Sequence, residues 1–544
     1  MTDDAVFKKE RSEGAGQARA LGLFLLKRYE EAVAVYDELL KKEPDNIDFW
    51  QNRIISLLQY SPVNASFFDQ MIKRLNDLSA QGYLCLADVL TDLNREDEAL
   101  VFVDGALKRD GENVDAYVLK ALLLVDLKRF DELYSLMQTL YPRLKKDERI
   151  LCLTAFYASL FGNARQAGYI LKKALKRNRS FVLQNKLFYL TLLSIGKAAE
   201  CIDFGLEALN TDADNPVVWS GVAQANMMSG NYQSADEAFD TLSSLTGLSE
   251  SEQYQWEEAL VNLEEYEDAF NLLLDMGECS DTWLLRLQFL LDEMRSAGLV
   301  RESCEYAEYL KKNYKKCPEA CFICDTVLNK DRKEGKPLSL VRLMSDVNAP
   351  DMMDMSADAS YNLPVLLEKM LDWTQENVGK SYHVLDLGCG TGAMAAVLEN
   401  YSRPEGSLTG VDVSSEVLEY AANQGRYTAL EKDDLLSFCR LKENVCQYDL
   451  IVCMNVLSDF TDLSSVFKAV RSALKEGGLF VFSVLPVTEN DRSFKFDSGV
   501  FYHHPDYVSS CLKQAGLQKE AEENAFLYKD ERSPCFIVAA RKKK

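Results

Sequence analysis

Small and apolar side chains recur every 34 residues along much of this 544-residue chain, and this register restricts the possible folds to repeat architectures. The register holds without slippage over about 200 residues, far more than one helix or strand of a globular protein spans. Its positions are occupied by Ala99, Leu133, Ala167, Cys201, Ala235, Ala269 and Ser303. A period of this length predicts stacked copies of one helical hairpin, because a single hairpin cannot bury its apolar face alone.

The residues around these positions have the pattern of the second helix in a helical hairpin. An aromatic residue opens the helix, as Tyr29, Tyr232 and Tyr266 do, and a small residue follows three positions later. Small side chains are needed there because the paired helices approach each other closely. In its period and hairpin pattern the sequence resembles the tetratricopeptide repeat over residues 15–317, with eight or nine units and a degenerate unit at residues 62–78.

The resemblance implies an all-α superhelix with a concave groove. Grooves of this kind commonly hold a protein or peptide, so recognition of such a partner in the groove is the functional expectation. The alternative is that the repeats act as a spacer or as a dimerisation arm.

The periodicity fades after Pro318, and a different pattern follows. Residues 318–358 contain a charged stretch and a segment rich in Met and Asp, which predicts a linker or a lid. From residue 359 to residue 544, short apolar strands alternate with helices. This alternation is typical of an α/β domain with a parallel sheet.

A glycine-rich turn after the first strand of this domain predicts a cofactor site. Residues 384–387 (Val-Leu-Asp-Leu) form the strand, residues 388–392 (Gly-Cys-Gly-Thr-Gly) form the turn, and a helix follows. Glycines permit a tight turn and a close approach of backbone to ligand, and the helix start offers free N–H groups. A second strand ends in Asp412, about 20 residues further on, where a carboxylate can accept both hydroxyls of a ribose.

Binding of a dinucleotide is the main alternative, and the glycine spacing argues against it. The dinucleotide fingerprint is G-x-G-x-x-G, whereas this chain has G-x-G-x-G ending at Gly392. Asp386 also favours a methyl donor, because a carboxylate beside the turn can meet a methionine amino group through water. Across residues 361–541, the order of these blocks resembles the class I methyltransferases, whose cofactor is S-adenosyl-L-methionine.

This resemblance implies a Rossmann-like domain with a seven-stranded, mostly parallel sheet that ends in an antiparallel hairpin. It implies that the three glycines pack on the methionine part of the donor and that Asp412 holds the ribose. Asp434 and Leu435 would frame the adenine, and Asn455 would lie beside the methyl group. The predicted cofactor-binding residues are Tyr361, Asp386, Gly388, Cys389, Gly390, Gly392, Asp412, Val413, Asp434, Leu435, Asn455 and Val456.

The whole arrangement resembles bacterial proteins in which tetratricopeptide repeats precede a ubiquinone-biosynthesis-like methyltransferase domain. Those proteins often carry an aromatic-rich segment before the domain that folds over the cofactor. Tyr361 matches the end of that segment, whereas Met352, Met353 and Asp354 replace its earlier Phe-Asp pairs. The lid of this chain therefore departs from the family pattern.

Candidates for a catalytic base are few, because the chain has three histidines. His503 and His504 lie where the family's substrate-facing loop enters its last long helix, and they are the candidate catalytic residues. The alternative is that both are loop histidines with satisfied hydrogen bonds, with His504 starting the helix before Pro505.

The acceptor class is narrowed by absent motifs. After the fourth strand, residues 454–457 read Met-Asn-Val-Leu, which disfavours methylation of DNA bases. The predicted function is methyl transfer to a small molecule or to a protein side chain that the repeats recruit. The alternative is a repeat scaffold whose second domain binds the donor but is inactive.

Charge and composition restrict the partners and the compartment. The formal net charge is −24, and the only compact basic run, residues 541–544, is expected to be a solvated tail, so no nucleic acid partner is predicted. No apolar stretch reaches the roughly 20 residues of a membrane span, and residues 1–16 lack the apolar core of a secretory signal. The 14 cysteines are scattered, with one isolated C-x-x-C at Cys321 and Cys324. The sequence therefore predicts a cytoplasmic protein with reduced thiols and no metal site.

Overall fold

The computed structural model describes residues 16–43 and 79–543, with gaps at residues 17, 25, 27, 93–94, 145, 278, 331, 359, 375, 377–381, 403–404, 488–492 and 530–532. Between these two ranges it describes residues 46, 49, 52, 53 and 56. The degenerate unit predicted at residues 62–78 lies outside the described residues. By spatial contacts the chain divides into two compact units, residues 1–263 and 264–544. The predicted boundaries at residues 317 and 358 follow sequence patterns rather than contacts, and they stay predictions.

The first unit is all helical in its described part, and short turns join its helices from residue 96 onward. Its helices are α1 (Tyr29–Leu40), α2 (Ala80–Asp92), α3 (Glu96–Arg109), α4 (Val114–Asp126), α5 (Phe130–Leu144), α6 (Glu148–Leu160), α7 (Ala164–Arg177), α8 (Arg179–Leu183), α9 (Lys186–Ser194), α10 (Ala198–Leu209), α11 (Pro216–Met228), α12 (Tyr232–Leu245) and α13 (Glu250–Asn262). Several of them begin where an asparagine side chain accepts a hydrogen bond from the first turn, as Asn113 and Asn163 do.

The register of small residues lies inside this helical packing. Ala99, Ala167 and Ala235 are fully buried in α3, α7 and α12. The backbone shows the same period, because a residue with positive φ separates the two helices of successive hairpins. These residues are Lys128, Gly162, Gly196, Gly230, Glu264 and Gly298, with φ between 56° and 86°. The helical region is therefore consistent with the predicted repeats, and its left-handed turn residues recur every 34 positions.

The second unit combines helices with one sheet. Its elements are α14 (Tyr266–Met276), α15 (Asp281–Ser296), α16 (Val300–Asn313), α17 (Pro318–Leu328), α18 (Leu338–Val347), α19 (Ala349–Ala357), α20 (Leu363–Trp373), β1 (His383–Leu387), α21 (Ala395–Ser402), β2 (Ser407–Asp412), α22 (Ser415–Asn423), β3 (Ala429–Lys432), α23 (Leu435–Arg440), β4 (Tyr448–Cys453), α24 (Leu463–Ala473), β5 (Leu474–Pro486), β6 (Phe494–Asp497), β7 (Val500–His503), α25 (Pro505–Ala515), β8 (Leu517–Phe526) and β9 (Pro534–Lys542). Among the described residues, no helix is both long and apolar enough to span a membrane.

Seven strands, β1–β5, β8 and β9, form the predicted mostly parallel sheet with its antiparallel final hairpin, and two further described strands extend it to nine. Strands β3, β2, β1, β4 and β5 are parallel neighbours in that order, and β9 pairs antiparallel with both β5 and β8. The two extra strands are the hairpin β6–β7. Strand β5 is 13 residues long and extends beyond β9, so that Leu485 and Pro486 at its end pair with β7 instead.

The basic run at residues 541–544 is not a solvated tail where the structure describes it. Arg541 lies in β9 and forms ion pairs with Glu376 and Glu520. The side chain of Lys542 is buried, and its Nζ donates a hydrogen bond to the carbonyl oxygen of Leu474 at 2.7 Å. These two residues anchor the last strand, because buried charges of this kind need fixed partners.

Candidate active site

The glycine turn is tied to the neighbouring strand by backbone hydrogen bonds. The N–H groups of Gly388 and Cys389 both donate to the carbonyl oxygen of Val411 on β2, at 2.8 and 3.1 Å. Gly388 has a φ of 69°, and a Cβ at this position would lie 2.3 Å from Cγ2 of Val456. A side chain is therefore excluded by both backbone conformation and space, which explains why glycine occupies this position.

Asp412, at the end of β2, holds the second half of the turn. Its carboxylate accepts hydrogen bonds from the N–H of Gly390 at 3.0 Å and from the N–H of Ser414 at 3.1 Å. Burial raises the pKa of Asp412, and these two backbone donors oppose that rise. The carboxylate is thus fixed at the C-terminal edge of the sheet with lone pairs left for further donors.

Asp386 lies beneath the same turn and is almost completely buried. The hydroxyl of Tyr427 donates a hydrogen bond to its carboxylate at 2.7 Å. Burial raises the pKa of Asp386 to about 7, the hydrogen bond from Tyr427 opposes the rise, and nearby Asp412 adds to it. A cation bound beside such a buried carboxylate stabilises its ionised form and lowers its pKa.

These residues border a cavity of about 390 Å³ at the C-terminal edge of the parallel strands. The predicted cofactor residues that line it are Tyr361, Asp386, Gly388, Cys389, Gly390, Asp412, Val413, Asp434, Leu435, Asn455 and Val456. Gly392 does not line the cavity. It has a φ of 92°, and a Cβ there would meet the side chain of Gln424 at 3.1 Å. The structure therefore brings eleven of the twelve predicted residues together around one space.

Fifteen lining residues were not predicted, and six of them precede the sheet in the chain. Leu338, Val341, Met352 and Met355 come from α18 and α19, which pack on α22. Asp346 of the same segment accepts a hydrogen bond from the hydroxyl of Ser414, next to the end of β2. The Met-rich composition marked this segment as a lid, but no motif showed which of its residues would face the cavity.

The lid comes close to the glycine turn through a methionine. A Cβ on Gly390, whose φ is 53°, would lie 3.0 Å from Cε of Met352. Tyr361 forms an edge-to-face pair with Tyr528 and is largely buried. One wall of the cavity is therefore apolar, while another offers glycine backbone and carboxylates.

This lining fits a cationic nucleoside such as the predicted methyl donor. The turn presents backbone without side chains, and the carboxylates of Asp386 and Asp412 supply negative charge in a partly desolvated space. Asn455 adopts a φ of 58°, a left-handed conformation that asparagine tolerates better than most residues, and its N–H donates to the hydroxyl of Ser483 at 2.8 Å. Strained backbone of this kind is common where a ligand is held.

The candidate catalytic histidines do not line the cavity. His503 is fully buried at the end of β7, and its Nε2 lies 2.8 Å from the carbonyl oxygen of Phe460, to which it must donate. Its Nδ1 has no hydrogen-bond partner among the described residues. Burial lowers the pKa of His503 to about 4, so the ring is neutral near pH 7. Phe460 itself borders the cavity, which makes His503 a support of the wall.

His504 acts at the start of helix α25. Its Nδ1 accepts a hydrogen bond from the N–H of Asp506 at 3.2 Å, and Pro505 occupies the first helical position. This is the helix-start role that the sequence offered as the alternative. Neither histidine therefore lines the cavity, although His503 contacts Phe460, which does.

The raised pKa of Asp386 predicts how donor affinity depends on pH. A bound cation lowers the pKa of this carboxyl, so protonation competes with binding below about pH 7. The affinity for S-adenosylmethionine is expected to be roughly tenfold lower at pH 6 than at pH 8, as one proton with this pKa requires. Isothermal titration calorimetry across this range measures the effect. Asp386→Asn is expected to bind more weakly and to lose this pH dependence, and a variant with an unchanged profile would contradict the assignment.

Known proteins are similar to the part of the chain that carries this cavity. A family model described as a methyltransferase domain matches residues 385–480. The ubiquinone biosynthesis O-methyltransferase of Bordetella avium (strain 197N) is 32% identical over 173 residues, which cover 27% of this chain and 68% of that protein. The protein of the same name from Acinetobacter baylyi (strain ATCC 33305 / BD413 / ADP1) is 30% identical over 169 residues, which cover 27% of this chain and 69% of that protein. Magnesium protoporphyrin IX methyltransferase from Synechocystis PCC 6803, solved with bound SAH, is 15% identical with a TM-score of 0.30, covering 38% of this chain and 99% of that one.

Proposed function

Because this chain belongs to the class I S-adenosylmethionine-dependent methyltransferases, we propose that its cavity holds the methyl donor and that its helical hairpins recruit the methyl acceptor. The acceptor is a small molecule or a protein side chain, and the hairpins are tetratricopeptide repeats that bind a protein or peptide. The observation that carries the proposal is the cavity of about 390 Å³ bordered by the glycine turn and by Asp412.

The donor is assigned to the strand ends as follows. The backbone of Gly388 and Gly390 contacts the methionine part, and Asp386 compensates its positive charge. Asp412 accepts from the ribose hydroxyls. Leu435, buried at the start of α23, packs on the adenine. The support for this order is that these residues follow β1, β2 and β3 in turn along one edge of the sheet.

The carboxylate of Asp434 has a more restricted role than the family pattern implies. It caps α23 by accepting a hydrogen bond from the N–H of Ser437 at 3.0 Å and another from the hydroxyl of Ser437. One oxygen is therefore committed to the helix start. We assign the other oxygen to the adenine amine, which one free acceptor is sufficient to bind.

The chemistry of transfer is supplied by the sulfonium of the donor when it is bound. The task of the chain is to align the acceptor with the methyl group and to exclude water. Met352 and Met355 of the lid supply an apolar cover, and Phe460 closes the cavity beyond Asn455. No side-chain base is required for this role if the acceptor reaches the cavity already deprotonated.

The acceptor is assigned to the part of the cavity near Lys336 and Asp459. These two side chains form an ion pair of 2.6 Å and both border the cavity. Asp459 follows Asn455 closely in the chain, beside the position assigned to the methyl group. A Lys–Asp pair at a half-buried wall offers both a donor and an acceptor, so it suits a polar acceptor group.

A second candidate function is a scaffold whose second domain binds the donor without transferring its methyl group. It is favoured by one observation, namely that neither candidate catalytic histidine lines the cavity. Donor binding is common to the two candidates, so binding alone does not distinguish them.

Transfer of a labelled methyl group distinguishes these functions. The purified full-length chain is incubated with radiolabelled S-adenosylmethionine and cell extract, and label is measured in protein and in small-molecule fractions. Recruitment by the repeats predicts that label in protein falls at least tenfold for a chain that begins at residue 264, while donor affinity is retained. Label in neither fraction, with normal donor binding by the full chain, would favour the scaffold.

A further inference from the structure

Helix α7 lies in a segment with an unusual charge balance. From residue 149 to residue 199 the chain has nine Lys and Arg residues and no Asp or Glu. Over the whole chain, acidic residues outnumber basic ones by 85 to 61. The positive charge of this segment is spread over 51 positions and several helices, so it does not form a compact run in the sequence.

The helix gathers much of this charge on one face. Its buried residues, Ala167, Ile170, Leu171 and Ala174, form a stripe that packs into the unit. The opposite face carries Arg165, Tyr169, Lys172 and Lys176 at helical spacing, with Lys173 beside them. All five side chains are exposed, and the ring of Tyr169 is 72% exposed. We call these five residues the basic face of α7.

The cations of this face have no ion-pair partner among the described residues. Other basic residues of the segment are paired: Arg149 with Asp147, and Arg179 with Glu207. Acidic residues therefore neutralise basic residues that lie before and after α7 in the sequence, but not those of the basic face. The free charge is concentrated on the basic face.

Helix stability does not explain this arrangement. Lys176 lies in the last turn, where a cation interacts favourably with the helix dipole. Arg165 lies in the first turn, where a cation opposes the dipole, and no acidic residue accompanies it. Lys172 and Lys176 are four residues apart and repel each other. Arg165 and the Lys172–Lys176 pair therefore do not stabilise the helix, so helix stability does not account for the basic face.

We propose that the basic face of α7 is a docking surface for a short acidic segment of a partner protein. The positive charges complement such a segment, and the exposed ring of Tyr169 gives it an apolar contact. A helix of 14 residues is about 21 Å long, which matches roughly six residues of extended chain. Glu148 and Glu200 flank the basic segment in the sequence, and the carboxylate of Glu148 accepts a hydrogen bond from the side chain of Asn178, which follows the last residue of α7. The basic face is one helix long, so a short acidic peptide matches its length better than a long polyanion does.

This inference rests on the proposed recruiting function, and its test is independent of methyl transfer because no donor is present. The probe is a fluorescein-labelled peptide of about eight glutamates, and binding to the full-length chain is measured by fluorescence anisotropy at about 50 mM salt, where screening is weak. The triple variant Lys172→Glu, Lys173→Glu, Lys176→Glu is expected to bind at least tenfold more weakly than the unmodified chain.

The matched control reverses three exposed lysines elsewhere, as Lys312→Glu, Lys315→Glu, Lys316→Glu, and changes the net charge equally. Its affinity is expected to stay within twofold. Equal losses in both triple variants, or equal binding of a glutamine peptide, would overturn the proposal. Tighter binding of a single-stranded RNA would assign the face to nucleic acid instead, and loss of self-association on charge reversal would assign it to a second copy of the chain. The single variant Lys172→Glu, expected to weaken binding at least twofold, replaces the triple variant if circular dichroism shows that the latter unfolds.

Discussion

Arginine in place of Gly390 is expected to abolish binding of S-adenosylmethionine while the sheet stays folded. Gly390 has a φ of 53° and borders the cavity, with Cε of Met352 only 3.0 Å from the position of a Cβ. A long side chain that starts there must enter the space assigned to the donor or displace the lid. The expected loss of donor affinity is at least roughly 100-fold, or about 2.7 kcal/mol, measured by isothermal titration calorimetry.

Gly425→Arg is the matched control for this substitution. Gly425 also has a positive φ, of 65°, but a Cβ at that position has no heavy atom within 4 Å. The control therefore measures the cost of placing arginine in left-handed backbone without filling the cavity. We expect its donor affinity to stay close to that of the unmodified chain. Near-normal affinity in Gly390→Arg would show that the donor does not lie on this turn.

The cavity could be predicted from the sequence as far as its residues follow strand ends. Gly388, Asp412 and Asn455 lie at or just beyond the ends of apolar strands, and parallel strands bring their C-terminal ends to one edge of a sheet. The number of residues between them in the sequence then matters little, because the order of the strands determines how close they lie in space. This is why a motif of a few residues located eleven of the 26 residues that line the cavity.

The lid and the hairpin could not be predicted in the same way. Met352 and Lys336 reach the cavity from helices and turns that precede the sheet, and nothing in their local sequence specifies the direction they face. The hairpin β6–β7 forms because β5 continues past β9, which depends on the relative lengths of two strands far apart in the chain. The burial of His503 against Phe460 could not be predicted either, because it depends on a tertiary contact.

The left-handed turns of the helical repeats follow the same period as the small residues. Gly162, Gly196 and Gly230 all adopt positive φ between the helices of a hairpin, and they are 34 residues apart. Lys128 and Glu264 adopt the same backbone at the same interval, so the conformation persists where glycine does not. The backbone geometry of the hairpins thus recurs more regularly than the residue types do. Individual units therefore match the repeat pattern only weakly in sequence.

Alanine in place of Asp412 is expected to weaken donor binding at least roughly 100-fold and also to lower the melting temperature of the chain. The carboxylate accepts from the N–H groups of Gly390 and Ser414, and each buried donor left without a partner costs about 1–3 kcal/mol. The loss of affinity comes from the missing ribose acceptor and from a turn that is no longer fixed. Calorimetric titration and thermal unfolding measure the two effects separately.

Two further variants separate the role of Asp412 in the turn from its role toward the donor. Asp412→Asn keeps one oxygen that can accept a hydrogen bond from the turn, so most of the melting temperature is expected to return while donor affinity recovers only in part. Asp449→Ala removes a carboxylate that accepts from the N–H of His383 at 2.9 Å at the opposite end of the strands, and it is expected to lower stability without changing donor affinity. If Asp449→Ala weakened donor binding as much as Asp412→Ala, the effect would be one of sheet stability, and the ribose assignment would fail. The contrast depends on position alone, because both substitutions remove a carboxylate from one sheet, at opposite ends of its parallel strands.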